Sequence, residues 1–158
     1  MDVSIRALSP SDLPWAERLL DDCLGGRLQA RLDELIDVLS LPGLVAEDDE
    51  SRRGLLTYRD DSTSVEIASV CSELPGAGRA LIDALKSRFP TMPIWLVTTN
   101  DNLRALRTYQ RQGFALTELH RGAVTRARNL KPDIPLIGKN KIPIRDELVL
   151  RYEPPGRP

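Results

Sequence analysis

An amide, a small residue and a tyrosine recur along one helical face in the stretch NLRALRTYQRQGF, residues 102–114. Asn102, Ala105 and Tyr109 are spaced i, i+3 and i+7, so a helix of 3.6 residues per turn places them in one line. A leucine would pack as well as Tyr109 on that inward arc. The hydroxyl therefore indicates a chemical use, such as donating a proton or hydrogen bond to a bound molecule.

An ordinary amphipathic helix is the alternative interpretation of this stretch. It accounts for the leucines and for the solvated arginines, with Asp101 or Asn100 as N-cap and Gly113 as C-cap. It gives no reason for the tyrosine.

A second stretch with chemical potential is CSELPGAGRAL, residues 71–81, between an apolar run and a helical pattern. Gly76 and Gly78 allow close approach of the backbone to a ligand, and a helix start offers unpaired N–H groups with a partial positive charge. Such a turn suits a phosphate or pyrophosphate. A dinucleotide-binding turn would need a third glycine where Leu81 stands, so that alternative is weaker.

The elements needed to position these stretches follow from hydrophobic spacing. Strands are predicted at Val3–Leu8, in three short apolar runs between residues 44 and 70, at Ile94–Thr99 and at Phe114–His120. Leu28, Leu32, Leu35, Ile36 and Leu39 recur at helical spacing, which predicts a helix ending before Pro42 and Gly43. A short helix over residues 123–130 and a final strand, Glu147–Tyr152, are also predicted.

Strand, helix, strand, helix, strand in the second half indicates parallel pairing there, whereas short turns in the first half favour an antiparallel meander. At this point the chain resembles the GCN5-related N-acetyltransferase (GNAT) family. That family has a turn of the form Q/R-x-x-G-x-G/A and a helix of the form N-x-x-A-x-x-x-Y-x-x-x-G-F. The helix pattern is complete here, from Asn102 to Phe114, while Glu73 stands where the turn usually has Gln or Arg.

The resemblance implies a single-domain α/β (α+β) fold with a mixed, mostly antiparallel sheet, in which the fourth and fifth strands are parallel and helices cover both faces. Residues 1–153 would form one N-acetyltransferase domain, and residues 154–158 a frayed tail. It also implies acetyl coenzyme A as cosubstrate, no metal, and direct attack by a primary amine of a small molecule or peptide. The residues that it assigns to the cosubstrate are Ser69, Val70 and Cys71 around a bulge in the fourth strand, Gly76, Ala77, Gly78 and Arg79 in the turn, and Asn102, Ala105 and Tyr109.

Two catalytic roles follow from the resemblance. Tyr109 would donate a proton to the departing thiolate, and Glu66, on the fourth strand, would act as the base through a water molecule. A solvated strand carboxylate is the equal alternative for Glu66. His120, Glu118 and Glu147 are weaker candidates for the base. The segments KPDIPLIG and IPIRDE resemble a signature of one branch of the family, with a proline-stiffened loop as the equal alternative.

Composition limits the remaining classes. The 158 residues carry a net charge of −1 with scattered Lys and Arg, which gives no basis for a nucleic-acid or membrane partner. No segment approaches ~20 apolar residues, and Asp2 follows Met1, so a cytoplasmic protein is expected. Cys23 and Cys71 are interpreted as small buried side chains rather than a disulfide or metal pair. A homodimer is compatible with the family, and a non-catalytic acyl-coenzyme A binding module and a nucleotide-binding domain remain as alternative functions.

Overall fold

A seven-stranded mixed sheet organises the protein, whose computed structural model describes residues 2–156. The strands are β1 (Ser4–Ala7), β2 (Leu28–Arg31), β3 (Glu34–Asp37), β4 (Gly43–Glu47), β5 (Arg52–Asp60), β6 (Val65–Ser72), β7 (Ile94–Thr99), β8 (Ala115–His120) and β9 (Glu147–Tyr152). The helices are α1 (Leu13–Leu24), α2 (Ala77–Arg88), α3 (Leu103–Arg111) and α4 (Ala123–Ala127), with short 3-10 turns at Pro10–Asp12 and Val38–Ser40.

The strand order of the sheet is β1-β4-β5-β6-β7-β9-β8, and β6–β7 is its parallel pair. All other neighbouring strands of that sheet are antiparallel. The mixed, mostly antiparallel sheet with one parallel pair is therefore confirmed. The parallel pairing predicted for the rest of the second half is wrong, because β9 lies between β7 and β8 and is antiparallel to both. The pair predicted as fourth and fifth is sixth and seventh along the chain, because two additional strands precede it.

Those additional strands replace the predicted helix over residues 28–39, which is wrong. β2 and β3 form a separate antiparallel hairpin, closed by Leu32 and Asp33 with φ of 49° and 60°. Leucines at helical spacing also fit two short strands, and Leu28 and Leu35 are exposed rather than part of a buried stripe. The pattern of apolar residues could not distinguish the two outcomes.

Helices cover both faces of the sheet, as predicted. On one face α2 contributes Leu81, Ile82 and Leu85 to a core with β4, β5, β6 and β7, and α3 packs Leu106 and Tyr109 at its margin. On the opposite face the core is formed by α1 and the end of the hairpin; its buried members are Ala16, Leu19, Leu20, Ile36, Val38, Leu39, Leu55 and Cys71. Within residues 2–156, no helix is long and apolar enough to cross a membrane.

The interpretation of the two cysteines as unpaired buried side chains is wrong. Cys23, at the end of α1, and Cys71, near the end of β6, form a disulfide with their Cα atoms 6.2 Å apart. Their separation of 48 residues along the chain gave no indication of this, because only the packing of α1 on β6 brings them together. Of the predicted tail, Arg157 and Pro158 lie outside the described residues.

Candidate functional site

The parallel strands β6 and β7 form a fork. They pair only from Val65–Ile67 to Ile94–Leu96, although β6 continues to Ser72 and β7 to Thr99. Beyond the last pair, the edges of the two strands that face each other diverge. A fork of this kind exposes backbone N–H and C=O groups that an extended ligand can use in place of a neighbouring strand.

A β-bulge lies at the base of the fork. Ser69 pairs with Thr57 and Ile67 with Tyr58, which leaves Ala68 without a partner on β5. The bulge predicted around Ser69–Cys71 is thus displaced to the preceding residue. The reason is that residues 69–71 are fixed in regular pairing, with the Ser69 hydroxyl 2.6 Å from Thr57 Oγ1 in the buried sheet.

The three predicted β6 residues differ in where their side chains lie. Val70 packs on the core beneath α2, whereas Cys71 faces α1 and forms the disulfide. Ser69 is buried with its hydroxyl engaged. What all three can offer to a ligand in the fork is therefore backbone rather than side chain.

The glycine turn leads into the first turn of α2, where backbone N–H groups lack a hydrogen-bond acceptor within residues 2–156. Gly76 is the N-cap of α2, with φ of 88°, a conformation that a glycine adopts without strain. Among the described residues, no acceptor is bonded to the backbone N–H groups of Gly76, Gly78 and Arg79. These donors and the helix dipole together favour an anion in front of the turn.

The space at this turn is open. A Cβ at Gly76 would meet no heavy atom within 4 Å, and a Cβ at Gly78 would lie 3.7 Å from Ser72 Cβ, an ordinary contact. Ala77 is buried against the core, whereas the Arg79 side chain extends into solvent, 3.9 Å from Asp83. The protein itself therefore tolerates a larger residue at position 78.

Asn102 is the N-cap of α3, not Asp101 or Asn100 as predicted. Its Oδ1 accepts the Ala105 N–H at 3.2 Å, and its amide N–H groups donate to no acceptor in the described part of the chain. Asn100 and Asp101 instead hold the loop that precedes β9. Asn100 Oδ1 accepts the N–H groups of Arg145 and Asp146 at 2.9 and 3.0 Å.

Asp101 is the second anchor of that loop, residues 128–146. The Asn140 side chain donates to the Asp101 carbonyl at 3.1 Å, and a Cβ at Gly138 would overlap the Asp101 carboxylate. The loop is thus ordered against the junction of β7 and α3.

Tyr109 lies on the inward arc of α3, as its spacing predicts. Its ring packs edge-on against Phe114, with ring centroids 5.6 Å apart. Desolvation by burial raises the pKa of Tyr109 to about 12. Its hydroxyl makes no hydrogen bond to any side chain or backbone group in residues 2–156, so at neutral pH it is a protonated, unused donor.

Glu66 is buried and bonded to two arginines. Its Oε1 accepts from Arg31 of the hairpin and, at 3.1 Å, from Arg59 Nη2 of β5. Both arginines also pair with Glu34, at 3.2 and 3.0 Å. The four side chains form a cluster of balanced charge that ties the hairpin to the sheet.

Glu147, the first residue of β9, is equally buried but lies in a different environment. Its Oε1 accepts the Leu32 N–H at 2.9 Å, and its register partners are Thr99 on β7 and His120 on β8. Burial raises the pKa of Glu147 above its usual range. His120 itself is bonded to Glu118 at 3.1 Å.

Sequence reasoning placed Gly76, Gly78, Asn102 and Tyr109 in a recognisable pattern but missed the contribution of Arg31 and the surroundings of Glu147. Arg31 carries no local signal, since its role depends on a hairpin that the periodicity concealed. Its Nε is buried without a hydrogen-bond partner. A solvent-open cavity of about 690 Å³ lies beside residues that adjoin His120 and Glu147 along the chain. It is lined by Arg121, Gly122, Thr125, Arg145 and Asp146.

Comparison with known proteins identifies relatives in Bacillus subtilis. The chain is 46% identical over 112 residues to the uncharacterized protein YxbD, a match that covers 67% of this chain and 70% of YxbD. It is 39% identical over 101 residues to YdhI, covering 61% of this chain and 63% of YdhI. No family model matches.

Solved structures show the same fold at low identity. A GNAT family acetyltransferase from Elizabethkingia anophelis with acetyl-CoA bound superposes with a TM-score of 0.72 at 19% identity, covering 96% of this chain and 97% of that one. The IAA acetyltransferase of Bacillus cereus gives 0.70 at 18% identity, covering 96% and 99%. The ribosomal-protein-S18-alanine N-acetyltransferase of Escherichia coli gives 0.68 at 14% identity, covering 96% and 94%.

Proposed function

We propose that this chain, which belongs to the same family as YxbD and has the fold of the GNAT acetyltransferases, transfers an acetyl group from acetyl coenzyme A to a primary amine. The acceptor would be a small molecule or a peptide. The observation that carries the proposal is the combination of a forked β6–β7 pair, an open helix start with free N–H groups, and a tyrosine with an unused hydroxyl.

The binding of the cosubstrate would follow these features in order. The pyrophosphate accepts from the N–H groups of Gly76, Gly78 and Arg79, and the pantetheine arm enters the fork beside Ser69–Cys71. Asn102 offers its amide, and the small side chain of Ala105 leaves room for the arm to pass α3. Because the contacts at the turn are backbone groups, Glu73 in place of Gln or Arg leaves them intact.

The reaction is a direct attack. The neutral amine nitrogen forms a bond to the thioester carbonyl carbon, the carbon–sulfur bond breaks, and the thiolate receives a proton from Tyr109. The nitrogen loses a proton as the amide forms, and this proton restores the Tyr109 hydroxyl through solvent. An alkylammonium with a pKa of ~10.4 must first lose its proton, at a cost of roughly 4–5 kcal/mol at neutral pH. The sequence predicts Glu66 as the acceptor of that proton.

No metal ion takes part in the proposed reaction. Within residues 2–156, no group of three or more His, Cys, Asp or Glu side chains is arranged to hold one. A homodimer and a location in the cytoplasm are also part of the proposal, and analytical ultracentrifugation tests the first of them.

The test is a screen of small amines, polyamines, amino acids and peptides for thiol release from acetyl coenzyme A, with thermal-shift measurements in parallel. We expect coenzyme A to stabilise the protein and at least one amine to release thiol. Binding without turnover on any amine would favour the non-catalytic acyl-coenzyme A module. Protection by ATP or NAD, without protection by coenzyme A, would favour a nucleotide-binding domain.

A further inference from the structure

Two buried carboxylates flank β7 on the face opposite to α2 and α3. Glu66 pairs in register with Trp95, and Glu147 pairs with Thr99. Trp95 and Thr99 are four residues apart on one strand, so their side chains and those of their partners project from the same face. Both carboxylates therefore lie on the side of the sheet that α2 and α3 leave free, one on each of the two strands next to β7.

We propose that Glu147 accepts the proton of the acceptor amine, whereas Glu66 positions the β2–β3 hairpin through Arg31. This inference rests on the proposed function. Glu66 as the base is the competing assignment. The contacts of the two carboxylates distinguish them, as follows.

The Glu66 carboxylate already forms ion pairs with two arginine side chains of the protein. Its Oε1 is shared by the guanidinium groups of Arg31 and Arg59. Protonation of Glu66 would weaken two charge-assisted hydrogen bonds and leave Arg31, only 8% exposed, with less compensation for its charge. An ammonium approaching Glu66 would also meet these two positive groups.

Glu147 has no ion-pair partner in the described part of the chain, and its single side-chain hydrogen bond is accepted from Leu32 N–H. A buried carboxylate without a counter-ion is stabilised by a cationic guest, and an alkylammonium is such a guest. The raised pKa of Glu147 brings its proton affinity closer to that needed by a base at neutral pH.

The charged groups around Glu147 come from the β2–β3 hairpin and from β8. Arg31 and Asp33 face it from the hairpin, His120 from β8, and all three contribute to its electrostatic environment. Asp33 is paired with Arg126 of α4 at 3.1 Å, and His120 with Glu118 of β8. Because Asp33 and His120 already have charged partners, the Glu147 carboxylate is free to form an ion pair with a substrate cation.

Space for an acceptor exists at the same end of the sheet. Arg145 and Asp146 immediately precede Glu147, Arg121 and Gly122 immediately follow His120, and these four residues line the cavity of about 690 Å³. This space is open to solvent, and Glu147 lies next to its lining residues along the chain rather than in the lining itself. In the reaction, one ammonium proton passes to Glu147, the neutral nitrogen attacks the thioester carbon, and the carbon–sulfur bond breaks. The thiolate takes a proton from Tyr109, the second proton of the nitrogen restores Tyr109 through solvent as the amide forms, and Glu147 releases its proton to water.

The hydrogen bond to Leu32 has a separate structural role. Leu32 has a positive φ, which is unusual for a bulky aliphatic residue and needs support from its surroundings. A glutamine at position 147 keeps an oxygen for the Leu32 N–H but cannot take up a proton at neutral pH. Glu147→Gln therefore separates the chemical role from the structural one.

The experiment compares Glu147→Gln, Glu66→Gln and the matched control Glu50→Gln, on an exposed carboxylate between β4 and β5, using an amine identified in the screen. For Glu147→Gln we expect kcat/KM to fall about a hundredfold near pH 7 and to approach the parent above pH ~9, where free amine is abundant. Its affinity for acetyl coenzyme A and its melting temperature should match the parent. Glu50→Gln should retain the parental profile, and Glu66→Gln should lower the melting temperature while keeping the shape of that profile.

A parental pH–rate profile for Glu147→Gln, or a pH-dependent loss in Glu66→Gln instead, would overturn the assignment. Should Glu147→Gln not fold, Glu147→Asp, which keeps a carboxylate, must preserve the parental pH dependence at reduced rate, and a changed shape would count against the proposal. If none of the amines tested causes the parent to release thiol, the proposed function fails and this inference fails with it. Turnover by the parent with no effect at Glu147 refutes the inference alone.

Discussion

Cys23 on α1 and Cys71 on β6 are joined across the core that α1 forms with the sheet, with their Cα atoms 6.2 Å apart. The bond encloses a chain segment of 48 residues, which includes the whole β2–β3 hairpin. In the chain-entropy model, a loop of this length stabilises the folded state by about 4 kcal/mol.

We therefore predict that Cys23→Ser lowers the free energy of unfolding by about 2–4 kcal/mol in the absence of reductant. Urea unfolding monitored by circular dichroism measures the difference, and a reducing agent should bring the parent to the level of the variant. The oxidised, denatured parent should show no titratable thiol. Two titratable thiols under those conditions would contradict the disulfide.

Gly78→Val should weaken the binding of coenzyme A. The added side chain fills the space in front of free N–H groups at the start of α2, while its Cβ makes only ordinary contacts within the protein. Loss of one charge-assisted hydrogen bond costs about 1.5–3 kcal/mol, so affinity measured by calorimetry should fall about tenfold or more. Ser87→Val, on the exposed surface of the same helix, is the matched control and should bind as the parent does. Equal affinity in both variants would exclude the turn as the pyrophosphate site.

Tyr109→Phe should reduce turnover without altering stability or binding. The hydroxyl has no partner among residues 2–156, so its removal breaks no hydrogen bond in the folded protein. A donor needed only as the thiolate leaves affects kcat, and we expect a fall of roughly tenfold to a hundredfold. Tyr152→Phe, in the same aromatic cluster, is the control. Full turnover of the Tyr109 variant, or its unfolding, is incompatible with the proposed role.

Asp12 makes part of the stability of the protein dependent on pH. Its buried carboxylate accepts from Arg6 and Arg52, at 2.8 and 2.7 Å, and the Arg6 hydrogen bonds, with further donors at Ser9, hold the pKa of Asp12 well below its usual range. Because the folded-state pKa is lower than the unfolded one, the stabilisation is complete above the unfolded pKa of ~3.9 and declines as pH falls below it.

Asp12→Asn should accordingly cost about 2 kcal/mol at pH 7, as expected for hydrogen bonds to charged groups. The difference between variant and parent should narrow toward pH 3. Urea unfolding at both pH values tests this, with Asp83→Asn on the exposed face of α2 as a control. A difference that stays constant between pH 7 and pH 3 would show that Asp12 does not titrate in this way.

The sequence was informative where a feature is local. The spacing from Asn102 to Tyr109, the glycine turn, and the all-apolar strand Ile94–Thr99 each depend on neighbours within two or three turns of chain, and the structure places each element as predicted. Pairing of β6 with β7 could be inferred because a helix between two strands favours a parallel crossover.

Features that depend on distant contacts could not be predicted. Leu32 and Asp33 adopt positive φ because Glu147 and Arg126, more than ninety residues away, hold the turn. Neither residue is a usual choice for such a turn, so no local signal identified the hairpin. The disulfide and the Arg31–Glu66 pair were missed for the same reason.

Gly138 fits against the Asp101 carboxylate where any side chain would collide, and the second half of the loop, residues 138–146, is bonded to Asn100 and Asp101. Long connections without helix or strand are usually the segments that proteases enter first. Here local opening of the loop would break its contacts with the junction of β7 and α3, so we expect the loop to open only when the sheet unfolds. Cleavage at Lys139 or Lys141 should therefore follow the global unfolding equilibrium rather than local fluctuation, and this surface segment should be among the last to be digested under native conditions.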